Sequence, residues 1–119
     1  MNGFNANMPI YLQVVEDVKI KIMNGTLKSG DKIASVREMA IEMGVNPNTI
    51  QRAFTELERE GFIRTERALG RYDSNNEELF LQCKQKMIQE NIRLFLEQMK
   101  ILGLDREDIM RYLKEDIYE

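Results

Sequence analysis

Between Ser35 and Gly61 the sequence starts, stops and restarts a helix with almost no chain between, and this constrains the fold more than any other feature. Ser35 with Glu38 three residues on is a capping box, in which each side chain satisfies the other residue's backbone N–H at a helix start. Val36, Met39, Ala40 and Met43 then face inward, and Gly44 stops the helix after about two turns. Asn46-Pro47-Asn48-Thr49 opens the next helix at once, with asparagine as N-cap and proline in the first turn. Ile50, Ala53, Phe54 and Leu57 follow at i, i+3, i+4 and i+7, a single apolar stripe that runs to Gly61. Two helices joined through Gly44-Val45 cross steeply, which is the geometry of a helix-turn-helix.

The flanking segments extend this unit. Pro9, at a first helical position, opens a helix with Tyr11, Val14, Val15, Val18 and Ile22 at helical spacing, and Asn24-Gly25 closes it. Thr26 to Ile33 is a polar loop holding two apolar anchors, Leu27 and Ile33. Beyond Gly61, Phe62 to Glu66 and Arg71-Tyr72 read as two short strands around Arg67-Ala68-Leu69-Gly70. Helix, short helix, tight turn, helix and hairpin in that order predict a winged helix-turn-helix. A plain three-helix bundle would carry the same apolar stripes.

After Asn75-Asn76 the pattern becomes one long helix, about Glu77 to Leu102. Leu81, Ile88, Ile92, Phe95, Met99 and Leu102 step by seven, four, three, four and three, a heptad-like seam with Gln85 at its polar position. Phe80, Cys83, Met87, Leu94 and Ile101 widen that face. Gly103 ends the helix, and Asp105-Arg106-Glu107-Asp108 caps a last one with Ile109, Met110, Leu113 and Ile117 apolar. The expected fold is mainly α with a small β-hairpin. A winged helix-turn-helix DNA-binding domain over residues 1–75 is followed by a short two-helix C-terminal dimerisation region over residues 76–119. The wide stripe exceeds what the last helix can cover, so two tails packing as four helices is the favoured use of the seam. Folding back onto the chain's own first domain is the alternative.

Composition narrows the chemistry. The 119 residues contain no histidine and one cysteine. Histidine-based acid–base catalysis, histidine metal sites and an intramolecular disulfide are therefore excluded, so no catalytic residue, metal ligand or cofactor is expected. A carboxylate-based small enzyme would need convergent acids, and the acids here fall on helix caps and solvent faces. Cys83, between polar neighbours, reads as a structural residue, with redox sensing as the other possibility. Asp105, Glu107 and Asp108 are explained as charges at a helix N-terminus. No apolar run approaches the roughly 20 residues that cross a bilayer, and the N-terminus lacks an export pattern, so a cytoplasmic protein is expected. The net charge of −3 is uneven. From Pro9 to Tyr72 ten Lys and Arg meet nine Asp and Glu, whereas from Asp73 onward seven meet eleven.

With its apolar stripe turned inward, the Pro47–Glu60 helix exposes Asn48, Gln51, Arg52, Thr55 and Arg59. No carboxylate precedes Glu56. Asparagine and glutamine can pair bidentately with adenine, and arginine with guanine, in the major groove. The helix N-terminus offers backbone N–H groups to phosphate. Arg37, Lys28 and Lys32 add positive charge nearby, and Arg67 and Arg71 on the hairpin are placed for a minor groove or its phosphates. Arg64 can equally pair with a carboxylate inside the strand pair. The bland reading of the same face is a solvated helix surface.

A resemblance is carried by Asn24-Gly25, Leu27, Gly30-Asp31-Lys32-Ile33, Ser35, Arg37-Glu38-Met39-Ala40, Gly44-Val45-Asn46-Pro47-Asn48-Thr49, Arg52-Ala53-Phe54, Leu57 and Glu60-Gly61-Phe62-Ile63. In order and without gaps, these resemble the DNA-binding domain of GntR-family transcriptional regulators. Met8-Pro9-Ile10-Tyr11-Leu12-Gln13 and the tail length resemble the YtrA-like subfamily, whose two C-terminal helices serve dimerisation. The resemblance implies DNA contacts from Arg37, Asn46, Asn48, Thr49, Gln51 and Arg67, with Arg52 and Arg71 as further candidates. The wing tip departs from the family's Arg-Gly-x-Gly-Thr, reading Arg67-Ala68-Leu69-Gly70-Arg71, and Pro47 stands where a basic residue is frequent. The expected protein is a homodimeric, sequence-specific repressor that binds double-stranded DNA at a two-fold operator and stays off membranes. No effector can be named from the residues. The competing expectation is a winged protein-interaction module that no longer binds DNA.

Overall fold

The computed structural model describes residues 6–116. Five helices and one hairpin appear in chain order: α1 (Ile10–Met23), α2 (Val36–Met43), α3 (Pro47–Glu60), β1 (Ile63–Glu66), β2 (Gly70–Asp73), α4 (Glu77–Ile101) and α5 (Arg106–Asp116). They form two compact units that divide between Gln82 and Cys83, within α4. Ile117 of the expected apolar set lies outside the described residues.

The helix boundaries follow from cap chemistry. Ser35 Oγ accepts the Glu38 N–H at 3.1 Å while Glu38 Oε1 accepts the Ser35 N–H at 3.2 Å, the reciprocal box. Gly44 and Gly61 end α2 and α3 in the left-handed conformation, at φ 67° and 88°. Pro9, expected as the first helical residue, is the N-cap of α1, so the helix starts one position later at Ile10. Asp105 and Asp108 cap α5 reciprocally, each carboxylate accepting the other's N–H at 2.9 and 3.1 Å.

The core of the first unit gathers the three helical stripes. Val14, Val18, Ile50, Ala53, Phe54 and Leu57 are fully buried, with Ile22, Met39 and Ala40 nearly so. Ile33, Phe62 and Ile63 close it from the loop and hairpin side. Phe54 of α3 is fully buried with the Arg71 guanidinium of the hairpin against its ring, and burying a phenylalanine contributes roughly 1.5–3 kcal/mol.

The hairpin is larger than expected. β1 and β2 pair antiparallel from Ile63↔Asp73 to Glu66↔Gly70. The loop before α2, read as irregular, adds a third short partner. Ile33 N–H donates to Arg71 O and Asp73 N–H to Asp31 O, both at 2.8 Å, with Lys32 bridged to Tyr72. β2 also inverts the usual polarity. Asp73 is buried, and its carboxyl accepts N–H groups from Asn75 at 2.6 Å and from Gly30. Burial raises this carboxyl above the usual aspartate range. The winged helix-turn-helix is thereby tied together at one polar joint, from which α4 starts. There Ser74 Oγ donates to Gly61 O at 2.6 Å, and Phe62 and Phe80 stack with centroids 5.7 Å apart.

In the second unit α4 and α5 leave an apolar groove of about 450 Å³, lined by Phe95, Met99, Leu102, Leu104, Ile109, Tyr112 and Leu113. No residue of α4 is buried within the chain, and the seam residues Leu81, Ile88, Ile92 and Leu102 are each about half exposed or more.

Candidate nucleic-acid interface

Asn46 fixes the start of α3. Its Oδ1 accepts the Asn48 N–H at 2.8 Å, and its carbonyl oxygen accepts Thr49 and Ile50 N–H at 2.9 and 3.3 Å. Pro47 contributes no N–H. The sequence-based expectation of free N–H groups for phosphate at this terminus is therefore not met, because the Asn46 cap already takes them. The positive end of the helix dipole remains, with no acidic residue in its first turn.

Asn46, Asn48, Gln51 and Arg52 are exposed on this end of α3, while Thr49 is half-buried. Arg52 is held in place: its guanidinium lies 3.9 Å from the Tyr11 ring centroid, a cation–π contact that draws on α1. Tyr11 was not legible as a positioning residue, because nothing in the spacing of α1 reports a ring that crosses to α3. It is an addition to the expected set that the geometry makes.

Farther along α3 the polar residues are already engaged. Thr55 Oγ1 donates to Gln51 O at 2.9 Å. Arg59 forks onto Glu56, with Nε donating to Oε2 at 3.0 Å and Nη2 to Oε1. This pairing holds the Glu56 carboxyl below its usual range and raises the Arg59 guanidinium. Glu60 meets Lys19 at 2.9 Å, and Glu58 accepts from Thr65 Oγ1 at 2.9 Å. At the C-terminal half Glu56 and Glu60 are each paired with a cation, and Glu58 keeps its charge beside the Thr65 hydroxyl. Among the described residues, the Arg52 guanidinium forms no ion pair, and it lies with Asn48 and Gln51 at the N-terminal half.

Around it stand the other expected residues. Arg37 is exposed at the second position of α2, and Lys28 and Lys32 are exposed in the preceding loop. Arg67 is exposed on the β1–β2 turn. Arg64 donates to Glu66 and lies 4.9 Å from the Tyr72 ring, the within-hairpin pairing that was one of its two readings. Arg71 is placed differently from the rest. It stands on the side of β2 that faces the core, its guanidinium carbon 5.1 Å from the Phe54 ring centroid, and its Nε is shielded from solvent without a partner among the described residues.

No group of three or more Cys, Asp or Glu converges to hold a metal among the described residues. No described helix is long and apolar enough to cross a membrane.

Comparison with known proteins points the same way. The family model for "Bacterial regulatory proteins, gntR family" matches residues 10–72. Over 113 residues the chain is 41% identical to the HTH-type transcriptional regulator YhcF of Bacillus subtilis, spanning 95% of this chain and 93% of that one. It is 38% identical over 111 residues to the HTH-type transcriptional repressor YtrA of the same organism, spanning 92% and 85%. A solved GntR family transcriptional regulator from Listeria monocytogenes matches with a TM-score of 0.83 at 37% identity, covering 94% of this chain and 98% of that one. AraR(DBD), solved in complex with an operator, matches with a TM-score of 0.54 at 25% identity, covering 61% of this chain and 90% of that one.

Proposed function

The chain belongs to the gntR family of bacterial regulatory proteins, and from that premise we propose that it acts as a homodimeric repressor on a two-fold symmetric operator. It is a DNA-binding transcription regulator of the winged helix-turn-helix kind. The observation that carries the proposal is the N-terminal half of α3. There Asn48, Gln51 and Arg52 are exposed together, carboxylates are absent, and Tyr11 braces the guanidinium. This half of α3 enters the major groove, with Asn46 and Thr49 beside it. Arg37 contacts the backbone and Arg67 the phosphates that flank the adjacent minor groove. Arg71, packed on Phe54, serves mainly to seat the hairpin.

Dimerisation is assigned to the unburied stripe of α4. Leu81, Ile88, Ile92 and Leu102 remain largely exposed, and Phe95 and Met99 line the apolar groove against α5. A second copy covering these residues satisfies the hydrophobic surface and pairs two reading helices by a two-fold axis. Repression then needs occupancy of the operator and no chemistry, and a bacterial regulator of this kind works in the cytoplasm. The chain needs no cofactor, and no effector is assigned.

Fluorescence anisotropy with a duplex from upstream of the chain's own gene tests the reading. Binding should weaken steeply with salt, and Arg52→Ala should cost about 1–3 kcal/mol at one base position. Binding that ignores salt and the Arg52→Ala change would support a protein-interaction module instead.

A further inference from the structure

Leu69 stands at the tip of the β1–β2 turn with 61% of its surface exposed. Its neighbour Ala68 adopts φ 67°, a left-handed conformation that non-glycine residues take at a cost, and Leu69 N–H closes the turn on Glu66 O at 3.0 Å. The tip is thus a defined projection. A lone leucine with one exposed alanine beside it is too small for a protein-docking patch. Its setting is cationic. Arg67 lies on the same turn, and the stem of Lys32 crosses the hairpin at Gly70. A Cβ built there would lie 2.8 Å from Lys32 Cε and 3.6 Å from its Nζ. The missing side chain at Gly70 therefore lets an ammonium reach the flank of the tip. Of the nearby carboxylates, Glu66 is joined to Arg64, and Glu38 in its capping box feels the Lys32 charge. Among the described residues neither Arg67 nor Lys32 forms an ion pair.

An apolar side chain between two cations matches a groove with phosphates along its rims and deoxyribose carbons along its walls, which is the minor groove. Its A·T floor lacks the exocyclic amino group that guanine presents. We propose that Leu69 is a minor-groove contact of the wing, which prefers A·T-rich sequence, with Arg67 and Lys32 holding the flanking phosphates. This rests on the DNA-binding reading above and adds a sequence preference that the α3 contacts do not supply.

The test uses the full chain and the duplex footprinted upstream of its gene, titrated by anisotropy across a salt series. Leu69→Ala should weaken binding about 5- to 20-fold with an unchanged salt slope, since an apolar contact releases no counterion. Leu69→Met should restore near-native affinity, and Arg67→Ala should lower the slope by about one. Replacing adenine under the wing by 2,6-diaminopurine adds an amino group to the minor groove alone. It should weaken the native protein several-fold and leave Leu69→Ala unchanged. Native affinity in Leu69→Ala, or indifference of the native protein to diaminopurine, overturns the proposal while the α3 reading stands. Failure of the native protein to bind any duplex overturns both.

Discussion

At the scale of single residues, the clearest contributions come from side chains that complete backbone hydrogen bonding. Ser35 accepts one N–H that α2 cannot satisfy internally, so Ser35→Ala should cost about 1 kcal/mol, read as a shift in the urea midpoint. Its partner Glu38 titrates below the usual carboxylate range because it is hydrogen-bonded to Ser35. A carboxyl whose folded pKa is depressed stabilises the fold above its unfolded pKa and loses that contribution as pH falls through the folded one. Glu38→Gln keeps the acceptor without the charge, so it should flatten the loss of stability between neutral pH and about pH 3. An identical pH profile in both proteins would mean that the Glu38 charge adds nothing to the capping box. Asp73 runs the other way. Burial raises its carboxyl, so acidification through its range favours the folded state. Gly70, at φ 123° and against Lys32, is a wing position where a side chain would be both strained and crowded. Gly70→Ala should cost about 1–3 kcal/mol in denaturant melts.

At the scale of elements, legibility tracks how local the determining chemistry is. α2 and α3 could be placed from sequence because caps, Pro47 and the glycine stops act within a turn of the boundary they set. The apolar stripe of α3 was equally plain, and Ile50, Ala53, Phe54 and Leu57 are all buried. The pairing of Asp31–Ile33 with β2 was not legible, because partners some forty positions apart leave no periodic trace in so short a segment. Neither was the inward side of β2. A strand reading Gly-Arg-Tyr-Asp gives no hydrophobic alternation, and its charged residues are stabilised by contacts elsewhere, Asp73 with Gly30 and Asn75, Arg71 with Phe54. The seam of α4 reads clearly as a period, and its partner is the open term. Ile92, half exposed within the chain, is the position for a test. Ile92→Glu should yield monomers in sedimentation at micromolar concentration with helix content retained. A variant that still sediments as the native protein does would remove α4 from the interface.

At the scale of the whole molecule, charge is arranged by function rather than by sum. The acidic excess lies from Asp73 onward, no acid of α3 precedes Glu56, and Glu56 and Glu60 are paired with Arg59 and Lys19, so the face with Asn48, Gln51 and Arg52 stays free of negative charge. A net charge of −3 is therefore compatible with a polyanionic partner. The absence of histidine fits a protein whose polar side chains recognise a surface by hydrogen bonding. Which of those side chains meets which base was not legible, because base pairing depends on docking geometry that neither helical period nor cap chemistry fixes.

The central claim is that two copies read DNA through the N-terminal halves of their α3 helices. Footprinting on the DNA upstream of the chain's own gene tests it most directly, comparing the native protein with Arg52→Ala and Ile92→Glu. The account predicts two symmetric protected half-sites about one helical turn apart, weakened by the first change and reduced to isolated, low-affinity protection by the second. Protection of a single asymmetric site by the native protein, or none at all in low salt, would contradict it.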